Sequence, residues 1–292
     1  MAVDSPAGTD TAGDPRAAPA GGAARRTLGD AVAALVASWP LLRVTEREVR
    51  IGARAWKTVL LTGVATPLLF LGAMGIGLGG LIDDNSGPVA GVSYLAFVTP
   101  GILCAASLQT AASDSMWPVM GGMKWMKWHH AAAATPLTPA DVYGGYVLWI
   151  ATRLSVNATF FLVVASLLGG VESPFGVLAI PAAVLGSLAL AAPLVAYSAG
   201  RDSDVTFPIL FRVLVMPLFL FSGTFFAVDQ LPAGVRPLAW VSPLWHAVEV
   251  ARSATTGDVD LLAAIGHVTF LALCITAGWL WGTRVFTRRL AA

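Results

Sequence analysis

The sequence predicts an all-α polytopic membrane protein with six transmembrane helices and both termini in the cytoplasm. Its 292 residues are 56% hydrophobic and only 12% charged, and the mean hydropathy is +0.73. In a soluble domain about a quarter of the residues are charged. Six apolar stretches are long enough to cross a bilayer core about 30 Å thick, which takes about 20 helical residues. The net charge of +1 creates no overall field that favours nucleic acid, so we expect no such partner.

The region before the first apolar stretch divides into two parts. Residues 1–27 contain mostly Ala, Gly, Pro, Asp and Thr, which predicts a disordered cytoplasmic tail. Residues 28–57 alternate Leu, Val and Trp with Arg and Glu. This pattern predicts a cytoplasmic helix that lies along the membrane interface and is broken near Pro40. The alternative is an ordinary soluble helix that packs on another subunit.

Residues 58–292 are predicted to form one six-helix transmembrane domain. Wherever its backbone meets lipid it has to be helical, because no water is present to satisfy exposed N–H and C=O groups. Pro118, Gly121 and Gly122 are expected to end the second helix. The predicted spans, with approximate ends, are 58–81, 94–117, 143–168, 175–199, 206–228 and 261–283.

The distribution of Arg and Lys predicts the orientation of these spans. Residues 1–57 carry eight of them, and the connection after the second span adds Lys124 and Lys127. The connections on the other side of the membrane hold mainly Asp and Glu. Because cytoplasmic loops are enriched in Arg and Lys, both termini are expected in the cytoplasm.

The connection over residues 117–145 is predicted to present a short helix to the cytoplasm. Its stretch GGMKWMKWHH, residues 121–130, holds two of the chain's three lysines and two of its four histidines. We favour an amphipathic helix that contacts a cytoplasmic partner. A metal site at His129 and His130 is not favoured, because neighbouring side chains on a helix point about 100° apart.

Two further helix starts are visible in the long connections. Thr138 and Asp141 are spaced almost as in a capping box, which predicts the start of the third span's helix. On the outer side, within residues 225–260, Ser242 is predicted to cap a helix that ends near Gly257. This outer segment is too apolar for a solvated loop. It predicts two helices that re-enter the outer leaflet before the last span.

Four polar side chains inside the predicted spans are candidates for function, because buried charge is costly in a membrane. A carboxylate and a guanidinium at similar depth should pair, so Asp114 is expected to meet Arg153 or Arg212. Asn157 follows Arg153 by one helical turn, near the middle of the third span. These residues either line a substrate pathway or hold the bundle together without contacting substrate.

Three blocks of the sequence resemble the ABC-2 type transporter permeases. They are YLAFVTPGIL (94–103), ATPLTPADVYGGYVLW (134–149), and FSGTFFAVDQLP (221–232) with SPLWHAVEVAR (242–252). The chain looks most similar to the branch that exports nodulation lipo-oligosaccharides and daunorubicin-type antibiotics. The resemblance extends over roughly residues 40–290.

This resemblance implies the membrane subunit of an ATP-driven exporter in the cytoplasmic membrane of a bacterium, moving an amphipathic drug, lipid or lipo-oligosaccharide outward. It implies two copies of an ABC ATP-binding subunit and a second permease copy, either identical or a paralogue, within the lipid bilayer. The ATPase would contact residues 40–56 and 118–133. The expected coupling residues are Glu46, Arg50, Lys124, Trp125, Lys127 and Trp128.

No catalytic residue or cofactor is expected in this chain itself. It contains no GxxxxGK[ST] motif, so ATP and Mg²⁺ are expected to bind to the partner subunit. One alternative is an intramembrane serine hydrolase with Ser222 and His246 as its dyad. A second alternative, a proton-coupled carrier, would need a carboxylate at mid-depth and inverted repeats, and neither is visible.

Overall fold

The structure, a computed structural model, describes residues 39–89, 91–234 and 236–291. The predicted tail, 1–27, and the first part of the predicted interfacial helix lie outside these residues. Within them, every regular element is a helix, apart from one isolated bridge between Val89 and Val92. The helices are α1 Pro40–Arg54, α2 Trp56–Asn85, α3 Tyr94–Lys124, α4 Trp128–Ala133, α5 Pro139–Leu167, α6 Pro174–Ala199, α7 Phe207–Phe221, α8 Arg236–Val241, α9 Pro243–Thr256 and α10 Leu261–Leu290.

The all-helical fold is confirmed, and five of the six predicted spans are full-length helices. By length and composition, α2, α3, α5, α6 and α10 can each cross a membrane. The span predicted at 206–228 is shorter, because α7 ends at Phe221. Ser222 leaves the helical conformation and Gly223 has a φ of 77°. At 1.5 Å per residue α7 is only about 22 Å long.

The second span is longer than the sequence predicted. α3 continues through Pro118, Gly121 and Gly122 to Lys124, so the prediction that these residues end the helix is wrong. Both glycines are buried. A Cβ at Gly122 would lie 2.3 Å from Nε1 of Trp128 and 2.6 Å from the His129 ring. Close packing against α4 therefore outweighs the low helix propensity of glycine.

The core forms where α3, α6 and α9 pack together, and α5 and α10 pack around them. Small residues allow the helix backbones to approach closely, as is usual inside membranes. A Cβ at Gly186 of α6 would lie 2.3 Å from the Cβ of Ala247 in α9. One at Gly278 of α10 would lie 2.6 Å from the ring of Pro193. By contrast, most of α10 is exposed, with only Leu271, Gly278, Gly282 and Phe286 buried.

Two helices precede the last span, as the sequence predicted. α9 packs on α3, α6 and α10, and the shorter α8 packs on α9. The predicted caps of α9 are confirmed: the Ser242 hydroxyl accepts a hydrogen bond from the Trp245 backbone N–H, and Gly257 is left-handed. The capping box of Thr138 and Asp141 at the start of α5 is confirmed as well.

Candidate functional site

The amphipathic helix α1 is held closely on α5. Its buried residues are Val44 and Thr45, and the Thr45 hydroxyl donates to the Gly145 carbonyl oxygen at 2.9 Å. A Cβ at Gly145 would come within 2.4 Å of the Leu41 carbonyl oxygen. Because α5 has no side chain there, α1 lies against it with its charged side turned outward.

The outward side of α1 is rich in paired charges. Glu46 and Arg50, predicted as coupling residues, form an ion pair one helical turn apart on the surface. Arg47 contacts Glu48, and burial raises the pKa of the Glu48 carboxyl despite this neighbour. Together with Arg43, these arginines give the surface of α1 a positive character.

A three-residue turn joins α3 to α4 and projects from the same end of the molecule. Trp125 is 63% exposed and Met126 is 77% exposed. Lys127 has a φ of 51°, a left-handed conformation that non-glycine residues rarely adopt. The Lys124 ammonium donates to the Asp202 carbonyl oxygen at 2.5 Å, which ties this turn to the α6–α7 connection.

Trp128 and His129 turn inward instead. The Arg47 guanidinium lies 4.5 Å from the centroid of the Trp128 ring, a cation–π contact between α1 and α4. His129 is fully buried, with its ring 5.5 Å from that of Phe286 and perpendicular to it. Burial lowers the pKa of His129 to about 3, with Arg47 as the second cause, so this side chain is neutral at physiological pH.

The structure therefore divides the predicted coupling residues into two groups. Trp125 and Lys127 are exposed and free to meet a partner, whereas Trp128 is packed between Arg47 and His129. The predicted single helix over 121–130 is a helix end, a turn and a new helix. Sequence reasoning missed two residues, Arg47 and Met126. Met126 could have been found from its position next to Trp125 in the sequence, whereas the contact of Arg47 with Trp128 is visible only in the folded structure.

We define the basic end as the end of the molecule formed by α1, α4, the α6–α7 connection and the last turns of α10. Besides Arg47 on Trp128, Arg289 and Lys124 hold it together. The Arg289 guanidinium donates to the Gly200 carbonyl oxygen at 2.5 Å and lies 3.3 Å from the Asp202 carboxylate. Lys124 binds the same connection through the Asp202 carbonyl oxygen. Both segments predicted to couple the chain to a partner are thus at one end.

Inside the bundle, Asp114 pairs with Arg153, one of the two partners predicted for it. The Nη1 of Arg153 lies 2.7 and 2.9 Å from the two carboxylate oxygens. The Tyr146 hydroxyl donates to the Asp114 carbonyl oxygen at 2.8 Å, which adds a second link between α3 and α5. Arg212 is exposed on α7 and does not take part in this cluster.

Asn157 is buried, and neither atom of its amide has a hydrogen-bond partner in the described part of the chain. Its amide faces Gly63 of α2, where a Cβ would lie 2.1 Å from Nδ2. A cavity of about 440 Å³ begins beside this point, between α2, α3 and α7. Its polar side chains include Gln109 and Thr110, and its apolar ones include Phe70, Phe219 and Phe225.

The serine hydrolase dyad is not formed. The Ser222 hydroxyl is hydrogen-bonded to the Ser242 hydroxyl at 2.6 Å. His246 places Nδ1 at 2.7 Å from Nδ1 of His267 and Nε2 at 3.0 Å from the Trp240 carbonyl oxygen. With both ring nitrogens occupied, His246 cannot act as the base for Ser222 in this arrangement.

Comparison with known proteins decides the family. A model described as "ABC-2 type transporter" matches residues 41–256, most of the chain. The chain belongs to the ABC-2 type transporter family. It is therefore a multi-pass membrane protein and a membrane subunit of a transporter, and the predicted resemblance is confirmed.

Among its curated relatives are several proteins named Nodulation protein J. The protein from Rhizobium leguminosarum bv. viciae is 29% identical over 240 residues, covering 81% of this chain and 91% of the relative. The one from Rhizobium meliloti (strain 1021) is 29% identical over 265 residues, covering 89% and 97%. The one from Neorhizobium galegae is 27% identical over 244 residues, covering 81% and 90%. The similarity thus extends over nearly the whole relative in each case.

Proposed function

We propose that this chain is the permease subunit of an ATP-driven exporter, which docks an ABC ATP-binding subunit at its basic end. Two ATPase copies would act with two permease copies in a bacterial cytoplasmic membrane. ATP and Mg²⁺ would bind to the ATPase. The observation that carries this proposal is the exposed pair Trp125 and Met126, projecting beside α1 from a firmly packed support.

The chemistry of this surface suits protein docking. A large exposed aromatic ring beside a flexible thioether is typical of a binding hot spot rather than of a solvated turn. Lys124 and Lys127 flank it in the sequence, and the Glu46–Arg50 pair lies on α1 at the same end of the molecule; these charges would orient the ATPase and affect its association rate. Trp128 and Arg47 would transmit movement of the turn to α1, because they join the two segments directly.

The basic end is proposed to face the cytoplasm. It carries the arginines of α1, Lys124 at the end of α3, Lys127 in the turn, and Arg288 and Arg289 at the end of α10. Membrane proteins keep such residues on the cytoplasmic side. The helices α8 and α9 would then lie at the outer leaflet, where the exposed Trp240 suits the interface.

For the substrate pathway, we propose the cavity beside Asn157. Gln109 and Thr110 line this cavity and offer neutral hydrogen-bonding groups, the phenylalanines opposite offer an apolar wall, and the unpartnered amide of Asn157 lies against Gly63 in its wall. This combination suits an amphipathic substrate. Asp114 and Arg153 neutralise each other, so we assign them to bracing α3 against α5. The exposed Arg212 is assigned to neither role.

The test is transport by the permease and its ATPase, co-expressed, purified and reconstituted into vesicles with an amphipathic fluorescent drug as probe. ATP-dependent movement of the probe and probe-stimulated ATP hydrolysis are expected. Asn157→Leu should reduce transport about tenfold or more while the complex still assembles. A substrate that hydrogen-bonds to a buried amide binds far more weakly once that amide is replaced by an apolar side chain. Ser187→Ala is the matched control, since Ser187 is also buried and unpartnered but belongs to α6, which contributes no residue to the cavity or to the small pocket beside it at Asn157. Equal transport by the two variants would contradict the assigned pathway.

A further inference from the structure

Two histidines from neighbouring helices meet at the end of the bundle opposite the basic end. His246 lies in α9 and His267 lies in α10, and their Nδ1 atoms are 2.7 Å apart. The two helices pack directly on each other. Both side chains are only partly buried, so an ion in solution can reach them. The other two histidines of the chain, His129 and His130, lie far away in α4.

The hydrogen bonds of His246 determine which of its ring nitrogens can bind a ligand. Its Nε2 lies 3.0 Å from the Trp240 carbonyl oxygen. A carbonyl oxygen only accepts, so this Nε2 carries the hydrogen and Nδ1 presents its lone pair to His267. Histidines that bind metal almost always donate their other N–H to a carbonyl or carboxylate oxygen in this way, which orients the ring. His246 therefore already has the supporting contact of a metal ligand.

Aromatic side chains hold both imidazole rings in place. The ring of His246 is stacked on that of Phe270, with the centroids 4.0 Å apart and the planes at 21°. Trp245 packs edge-on against both histidines, with its ring centroid 4.8 Å from that of His246 and 5.0 Å from that of His267. Because these contacts fix the two rings before any ion arrives, little conformational entropy is lost when both nitrogens bind one ion.

The charges around the pair favour a cation. Glu249 follows His246 by one turn of α9, and its carboxylate stabilises positive charge at His267. Arg252, one further turn along α9, is engaged by Glu249 at 3.0 Å and by the Gly223 carbonyl oxygen at 2.5 Å. Among the residues that the structure describes, no three His, Cys, Asp or Glu side chains form a closed metal site. An ion at this pair would therefore have two protein ligands and solvent in its remaining positions.

We propose that His246 and His267 bind one Zn²⁺ ion through their Nδ1 atoms. Imidazole suits Zn²⁺, which binds nitrogen at about 2.0–2.1 Å with tetrahedral geometry. Two such nitrogens lie roughly 3.3 Å apart, so the rings need to separate by only about 0.6 Å. The hydrogen on Nδ1 of His267 is exchanged for one on its Nε2, so both rings stay neutral. The ion would clamp α9 to the last span, and this role does not depend on the proposed transport function.

The experiment uses the full-length chain, purified in detergent with an affinity tag that contains no histidine, freed of metal by a chelator and titrated with Zn²⁺ in a calorimeter. One equivalent should bind in the micromolar range, because only two of the four zinc ligands come from the protein. Saturating Zn²⁺ should raise the unfolding midpoint by about 5 °C. His267→Gln should weaken binding roughly tenfold or more and abolish this shift. His130→Gln, at an exposed position in α4, is the matched control and should bind Zn²⁺ as the wild type does.

A second measurement identifies the ligands directly. Cu²⁺ accepts the same imidazole nitrogens and serves as the probe for electron paramagnetic resonance. The spectrum should show two nitrogen ligands in the wild-type chain and one in His246→Gln. Absence of stoichiometric Zn²⁺ binding by the wild-type chain would overturn the proposal and leave the pair as a hydrogen bond between helices. Wild-type Zn²⁺ affinity in His267→Gln would overturn it as well, because the ion would then bind elsewhere.

Discussion

The two long connections of this permease are built in opposite ways. At the end opposite the basic end, residues 222–228 and α9 pack into the bundle and hydrogen-bond to it, whereas Leu238, Trp240 and Val241, in α8 between them, are exposed. The Arg252 guanidinium donates to the Gly223 carbonyl oxygen, and Ser222 is hydrogen-bonded to Ser242. At the basic end, the turn after α3 leaves Trp125 and Met126 exposed.

The difference indicates which connection can bind a partner. Buried polar groups that are satisfied within the chain hold one arrangement and leave nothing for a partner to satisfy. An exposed aromatic residue on a firm support retains its whole binding surface. Residues 222–228 and α9 are therefore assigned a structural role at the far end of the bundle, the exposed apolar side chains of α8 suit the membrane interface, and docking is proposed at the turn around Trp125. The following predictions probe this contrast, beginning with the largest expected change in stability.

The largest effect is expected where the far connection crosses α3. A Cβ at Gly101 would lie 2.5 Å from the Thr224 carbonyl oxygen and 2.8 Å from its Cα. Gly101→Val should lower the free energy of unfolding by about 3 kcal/mol, since overpacked side chains force the backbone apart. Thermal unfolding in detergent would measure this. Gly266→Ala in α10, where a Cβ meets open space, is the control and should not destabilise the protein. A wild-type midpoint for Gly101→Val would show that this packing is loose.

At the basic end, stability should depend on pH through His129. Its folded-state pKa of about 3 lies below the ordinary 6.5, so the unfolded chain takes up a proton first as the pH falls. The free energy of unfolding therefore has its full value above pH 6.5 and decreases between pH 6.5 and 3, by about 2 kcal/mol at pH 5 relative to pH 7. His129→Leu should remove this dependence. His130→Leu, at an exposed position, should retain it. Identical pH profiles for both variants would contradict the burial of His129.

A smaller effect is expected from loss of the Arg252 contacts in the far connection. Its guanidinium bonds Glu249 at 3.0 Å and the Gly223 carbonyl oxygen at 2.5 Å, and lies 4.1 Å from the centroid of the Phe97 ring. Arg252→Met should cost about 1.5 kcal/mol of stability, because a buried carbonyl loses its donor. Arg284→Met, at an exposed position, tests whether loss of any arginine has this effect. Equal unfolding midpoints for the two variants would argue against the structural role.

Local signals in the sequence predicted the spans and several helix ends. Thr138, Ser242 and Gly257 act through their own backbone neighbourhood, so their roles can be inferred from a few residues. The pairing of Asp114 with Arg153 followed from the cost of unpaired charge in a membrane. These inferences needed no knowledge of tertiary packing.

Other features depend on packing and could not be predicted. α3 continues through Gly121 and Gly122, and α4 lies against Gly122. Whether a tryptophan at the turn faces outward or inward depends on the left-handed conformation of Lys127, a rare state for a non-glycine residue. The contact of Arg47 with Trp128 joins segments eighty-one positions apart in the sequence. Trp125 and Trp128 therefore looked equivalent in the sequence, because neither the conformation of Lys127 nor the contact with Arg47 can be inferred from neighbouring residues.

The most direct test of the central claim is co-purification of the ATPase subunit with permease variants at the turn. Trp125→Ala with Met126→Ala should leave the unfolding midpoint unchanged, because both side chains are exposed. The same variant should weaken ATPase binding roughly 30-fold or more, since a central aromatic residue often contributes about 2 kcal/mol or more to an interface. Lys124→Ala with Lys127→Ala should weaken it less, by an amount that varies with salt. Wild-type ATPase binding by the Trp125→Ala, Met126→Ala variant would contradict the account and place the docking surface elsewhere.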